Sequence, residues 1–180
     1  MVVGIFGESC TGKSTIAEEL SGRTNAKIYS GKDYLKLAKN ENEAKAKFRE
    51  MLNSSEAAGE NVIYVIAEKE QLSLLPEKAV RVLTTADIDV IKKRFAKRMN
   101  GVLPAPVAAM LEKKHGLFDN EKYDLLVCTS SAETSGTNAA SADAASENAT
   151  SANAASANTA DSSVSVSDTC DRIVALLKNR

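Results

Sequence analysis

Hydrophobic positions along the chain follow two rhythms that predict alternating strands and helices. Residues 2–6, Val2-Val3-Gly4-Ile5-Phe6, form an apolar run. After residues 7–15 the pattern changes to Ile16, Ala17 and Leu20 at helical spacing, with Ser21-Gly22 as the expected helix end. Residues 26–30 read as a second strand that turns through residues 31–35 into a helix. Ala44, Phe48, Met51 and Leu52 among charges predict an amphipathic helix over residues 41–52, and residues 53–60 read as a turn. Residues 61–67 are almost continuously apolar and β-branched, the signature of a strand buried on both faces of a parallel sheet.

The same reading gives a short helical piece at residues 71–75, stopped by Pro76, and a fourth strand at 79–83 with a capping signal at 84–87. A helix follows over 87–99, with Ile88, Ile91 and Phe95 on one face. Another spans 107–114 behind Pro104 and Pro106, and residues 123–128 supply a fifth strand. The pattern then lapses. Residues 129–168 are Ser, Ala, Thr and Asn with scattered acids, and the unit at 141–148 is echoed at 151–158. So little apolar surface cannot offset the entropy of ordering, so this tract is expected to be a disordered insertion. An amphipathic helix within 169–180 completes a core otherwise contained in residues 1–128. Loop closure cost grows only logarithmically, so such an insertion is tolerable.

Composition adjusts this picture only slightly. The 180 residues carry Lys+Arg 23 against Asp+Glu 24, a formal net charge of -1, which offers no general attraction to nucleic acid or anionic membrane. Small molecules are the expected partners. No basic leader or long apolar stretch is present, so a cytoplasmic location is expected. Cys10, Cys128 and Cys170 have no metal-ligand spacing. Aromatic residues make up only 4%, which predicts a largely aliphatic core.

The chemistry concentrates in Gly7-Glu8-Ser9-Cys10-Thr11-Gly12-Lys13-Ser14-Thr15, which fits the Walker A pattern G-x-x-x-x-G-K-S between a strand and a helix. Free amides at the helix start and its dipole suit a phosphate, and Gly7 and Gly12 allow the loop to wrap it. Lys13 would reach the β- and γ-phosphates, Ser14 would ligate Mg²⁺, and Thr15 would meet the α-phosphate. Cys10 reads either as a tolerated small residue or as an oxidisable thiol among amide donors.

Other candidates carry alternatives. Asp33, at a strand's C-terminal end, could bind the acceptor, deprotonate it or assist Mg²⁺; otherwise it is a first-turn helix acid. Glu68 follows the third strand, where a Walker B Asp would hold the metal, and otherwise is a surface acid. Arg94 and Arg98 lie one helical turn apart and could clamp a transferring phosphoryl group; a solvated basic face or a nucleic-acid contact are the alternatives. His115, the sole histidine, reads most simply as a capping cation. The proline- and glycine-flanked segment from Asn100 to Lys114 reads as a lid.

On the phosphate loop, and on Asp33 and the Arg94–Arg98 pair near the lid, the chain resembles the small P-loop kinases. These comprise the nucleoside monophosphate kinases, including the cytidylate-kinase-like group, and the shikimate and gluconate kinases, whose G-K-S-T is matched by Gly12-Lys13-Ser14-Thr15. The resemblance implies an α/β three-layer P-loop fold with a five-stranded parallel sheet of order 2-3-1-4-5 and helices on both faces. It also implies ATP and Mg²⁺ as donor, with transfer to a nucleoside monophosphate or small hydroxyl metabolite. Departures are Cys10, where these kinases often have Gly, and Glu68 in place of an Asp. A nucleotide-binding switch or accessory ATPase, or a degenerate nucleotide binder, are the alternative functions.

Overall fold

The computed structural model describes residues 1–130 and 165–178. Most of the tract read as a disordered insertion, residues 131–164, lies outside the described residues. Five strands, β1 (Val2–Gly7), β2 (Lys27–Ser30), β3 (Val62–Ile66), β4 (Val80–Thr85) and β5 (Leu125–Cys128), form one sheet ordered β2-β3-β1-β4-β5. Every pairing is parallel, with Phe6 beside Ile66 on one side and Gly7 beside Thr84 on the other. The helices are α1 (Lys13–Thr24), α2 (Glu41–Ala57), α3 (Ile88–Arg98), α4 (Ala105–Lys114) and α5 (Val166–Lys178). Short 3-10 turns occupy Asp33–Leu37 and Lys69–Leu74. The α/β architecture and strand order are those expected.

Alternation along the strands sorts side chains between two cores. Val3, Ile5, Ile63, Val65, Val80 and Val82 meet Ile16, Ala17 and Leu20 of α1 and Cys170 and Ile173 of α5, and this face is aliphatic. Val2, Phe6, Val62, Tyr64 and Ile66 face the other way, against Ala44, Phe48 and Leu52 of α2. The scarce aromatics gather on this second face, where Phe48 meets Tyr29, Tyr34 and Tyr64 at ring-centroid separations of 5.5, 6.2 and 4.9 Å. Here Gly4 is required by space: a Cβ would stand 2.4 Å from a methyl carbon of Leu75. Among the described residues no helix is long and apolar enough to cross a membrane.

Several boundaries differ from the pattern-based expectation, each for a tertiary or capping reason. Helix α1 runs through Gly22, which faces open space, and stops where Asn25 takes a left-handed conformation (φ 52). Helix α2 continues five residues past 52 to Ala57 because Ser55 is buried under it and the chain turns only at Gly59 (φ 72). Thr84 and Thr85 belong to β4, not to a capping turn. Helix α5 starts at Val166, ahead of the expected boundary at 169, so the described residues 165–168 are part of the folded unit. The Ser165 hydroxyl accepts from the Asp168 N–H at 3.1 Å, and Ser165-Val166-Ser167-Asp168 is a capping pattern overlooked within a Ser-rich tract. Arg23 of α1 fastens this end, donating to Asp171 Oδ1 at 2.6 Å and to Ser167 Oγ at 2.7 Å.

Candidate functional site

Strand β1 leads into the glycine loop between two neighbours, β3 and β4, so the loop sits mid-sheet at the C-terminal edge. Gly7 has φ 145, and a Cβ there would lie 2.1 Å from the carbonyl oxygen of Thr84, so β4 itself demands glycine. Thr84 also braces the loop. Its hydroxyl lies 2.8 Å from that of Thr11, which donates to the Glu8 carbonyl at 2.8 Å, and both threonines are buried. Gly12 takes the left-handed conformation (φ 84) immediately before α1. No side chain caps this helix and no acid occupies its first turn.

Lys13 is buried, and its ammonium donates to the carbonyls of Gly7, at 2.9 Å, and Glu8. Burial pulls its pKa down from 10.5 to about 8, with the charge of Arg98 acting in the same direction and Glu8 against it. Ser14 and Thr15 are exposed on the first turn, and Ser9 is exposed at the loop's crest. Cys10 is only 6% exposed, has φ 65, and packs with Ala86, Ile91 and Leu111, so its thiol is a core contact of the α3–α4 arm.

Helix α3 brings its basic face to the loop. A cavity of about 460 Å³ is lined by Cys10, Gly12, Thr15 and Ile16, by Arg94, Lys97 and Arg98, and by Val127, Thr129, Val166 and Thr169. Cations form one wall and aliphatic side chains another. The two arginines read as a pair are not equivalent. Arg94 is spent on the protein, donating from Nη1 to the Cys10 carbonyl at 3.2 Å and to Thr129 Oγ1 at 2.9 Å, and from Nη2 to the Thr129 carbonyl at 2.7 Å. Arg98 is exposed on the cavity rim, close enough to Lys13 to affect its titration.

The two acids stand apart from this cavity. Asp33 follows the edge strand β2, two strands from β1, roughly 10 Å at ordinary strand spacing. Its Oδ2 accepts from the Ser30 N–H at 2.8 Å and its Oδ1 from Lys36 at 2.6 Å; the Lys36 and Ser30 bonds hold its carboxyl below the usual range. Glu68 precedes the turn after β3, nearer the loop. Its Oε2 accepts from Gln71 Nε2 at 3.2 Å and lies 3.7 Å from Lys32 Nζ. Sequence reasoning missed Thr84 and Thr129, which brace the loop from β4 and from the exit of β5. It also missed the direction of the Glu8 carboxylate, which meets His115 Nδ1 at 3.1 Å and the Gly116 N–H at 2.6 Å. Only the position of Thr84 and Thr129 at strand ends hinted at such roles.

No protein-family model matches the sequence, and no curated protein matches it. Solved structures do. A sugar kinase from Janibacter sp. HTCC2649 superposes with a TM-score of 0.50 at 15% identity, over 71% of this chain and 84% of that one. A putative kinase from Chloroflexus aurantiacus superposes with a TM-score of 0.50 at 15% identity, over 73% and 90%. The chain shares its fold with these kinases. It is also similar to an uncharacterized protein from Eubacterium ventriosum ATCC 27560, with a TM-score of 0.60 and 16% identity, over 100% of this chain and 99% of that one.

The residues present fit a magnesium nucleotide. Among the described residues no group of three or more His, Cys, Asp or Glu gathers to hold a metal ion. The exposed Ser14 hydroxyl is the first candidate ligand, and Glu68, whose Oε2 meets Gln71 and Lys32, is the second.

Proposed function

We propose that the protein is an ATP-dependent phosphotransferase acting on a nucleoside monophosphate or a small hydroxyl metabolite. The observation that carries this reading is the buried Lys13 at an uncapped helix start, beside Gly12 and Thr15, which line a cavity together with Arg94, Lys97 and Arg98. Bound magnesium would neutralise phosphate charge and orient the donor. In this reading Gly7 to Thr15 offer amides and hydroxyls to the triphosphate. Lys13 exchanges its two carbonyl partners for phosphate oxygens, so little reorganisation is required of the loop. The base and ribose occupy the aliphatic side of the cavity, by Ile16, Val127 and Val166. Arg98 has the reach and exposure to stabilise charge on the moving phosphoryl group, while Arg94 holds the loop to the exit of β5.

On the acceptor side Asp33 orients or deprotonates the attacking hydroxyl. Its carboxylate, held below the usual range by the Lys36 and Ser30 bonds, is a weak base and serves first as a hydrogen-bond acceptor for the O–H. Closure of the α3–α4 arm would exclude water and favour transfer over hydrolysis. In domain terms, residues 1–128 and the last helix form one catalytic unit joined by the Ser/Ala-rich tract. The deciding experiment supplies the full chain with ATP–Mg²⁺ and a panel of nucleoside monophosphates, sugar acids and shikimate. Acceptor-dependent release of ADP supports the assignment; slow hydrolysis indifferent to every acceptor replaces it with an accessory ATPase.

A further inference from the structure

The second loop residue is an acid, where a site for a polyanion has no electrostatic use for one. Its placement resolves the conflict. The Glu8 side chain is only 12% exposed, and both of its oxygens are engaged by the segment that ends α4. Oε1 accepts the Gly116 N–H at 2.6 Å and Oε2 lies 3.1 Å from His115 Nδ1. A carboxylate only accepts, so Nδ1 must carry the proton, whichever state the other nitrogen adopts. Gly116 has φ 78, a conformation that turns its amide back toward the loop without strain. Two residues on, Phe118 packs against Phe6 of β1 at 5.8 Å and fixes this segment to the strand that feeds the loop.

The arm therefore grips the loop twice. Arg94 of α3 holds the Cys10 carbonyl, the end of α4 holds the Glu8 carboxylate, and Lys92 joins α3 to α4 through Glu112 at 2.5 Å. We propose that His115 and Gly116 are positioning residues that hold the Glu8 carboxylate away from the phosphates. Released, that carboxylate would swing on a loop whose amides and Lys13 are arranged for anions, and would compete with and repel the triphosphate. This rests on the nucleotide-binding reading above.

Titration of the full chain with ATP–Mg²⁺, beside thermal unfolding of each variant, tests it. His115→Ala is expected to weaken ATP binding roughly tenfold, the scale of a freed like charge near phosphate. His115→Gln keeps a side-chain donor and should hold most of the affinity. Adding Glu8→Gln to His115→Ala should restore binding at least to that of the unmodified chain, a rescue that a merely structural contact would not produce. Glu8→Gln alone, which keeps an oxygen for Gly116 and removes the charge, should tighten binding and decides the matter if His115→Ala does not fold. Unchanged binding in His115→Ala, no rescue in the double variant, or weaker binding in Glu8→Gln overturns the proposal. Failure of the unmodified chain to bind ATP overturns the nucleotide reading first and this one with it.

Discussion

Around Lys13 the loop is fastened by residues far apart in sequence, such as Thr11 to Thr84 across 73 positions, whereas Asp33 and Glu68 are satisfied by Lys36 and Gln71, three positions away. The first region is buried and cross-braced, and the second is more open, with Asp33 half-buried and Glu68 exposed, and is held mainly by near neighbours, Lys32 beside Glu68 excepted. Phosphate binding needs amides held rigidly, and burial provides that. Acceptor binding needs groups that can change partners, and exposed ion pairs, each worth about 0–1 kcal/mol, are easily exchanged. The division explains why the glycine loop can be described atom by atom while the proposed acceptor is named only as a class.

The sharpest way to break this comparison is Lys13→Ala. Removing the one buried cation of the loop is expected to lower turnover by roughly a thousandfold with the fold retained; normal turnover would end the kinase assignment. Asp33→Asn should come next, lowering kcat/KM for the acceptor by roughly a hundredfold while ATP affinity stays within about twofold. A matching loss of ATP affinity would mean that the two regions are one. The arginines should then separate. Arg98→Ala is expected to lower kcat roughly tenfold or more at an unchanged melting temperature, and Arg94→Ala to destabilise the fold by about 1–3 kcal/mol because the partly buried carbonyls of Cys10 and Thr129 lose their donor. Equal behaviour of the two would restore the symmetric clamp.

A pH series sharpens the same contrast. Lys13 has a lowered pKa, about 8 against 10.5 unfolded, so between these values the unfolded chain binds more protons. Stability of the nucleotide-free protein should therefore rise over that window, by about 3 kcal/mol at most. ATP affinity should fall over the same range as the ammonium is lost. Denaturant melts and binding titrations from pH 7 to 10, compared with Lys13→Met, check both signs. Smallest of all, Gly22→Ala in exposed α1 should add about 0.5–1 kcal/mol, since nothing stands where its methyl would go.

The strands and the glycine loop were legible because period-two patterning and the glycine–lysine spacing are local signals. So was the order of the sheet, through the resemblance those residues carry. Gly22 misled because a mid-helix glycine resembles a helix end, and Ser165 was hidden because one capping serine looks like any other in a Ser-rich tract. The unequal arginines and the hold of His115 on Glu8 had no local trace, and the brace from Thr84 had only its place at a strand end. Each depends on a contact between distant parts of the chain, 107 positions in the last case, and spacing along a sequence cannot report which carbonyl a guanidinium will reach.

Gly4 and Leu75, in contact behind the loop, bear on how this sequence can drift. Neither position can change freely alone: a methyl at 4 collides with Leu75, and a smaller residue at 75 leaves a void over 4. The two should evolve as an exchange of volume, with Gly4→Ala tolerated only beside a trimmed residue 75. Homologues that carry alanine at the fourth position should therefore betray themselves by a valine or alanine where this chain has leucine.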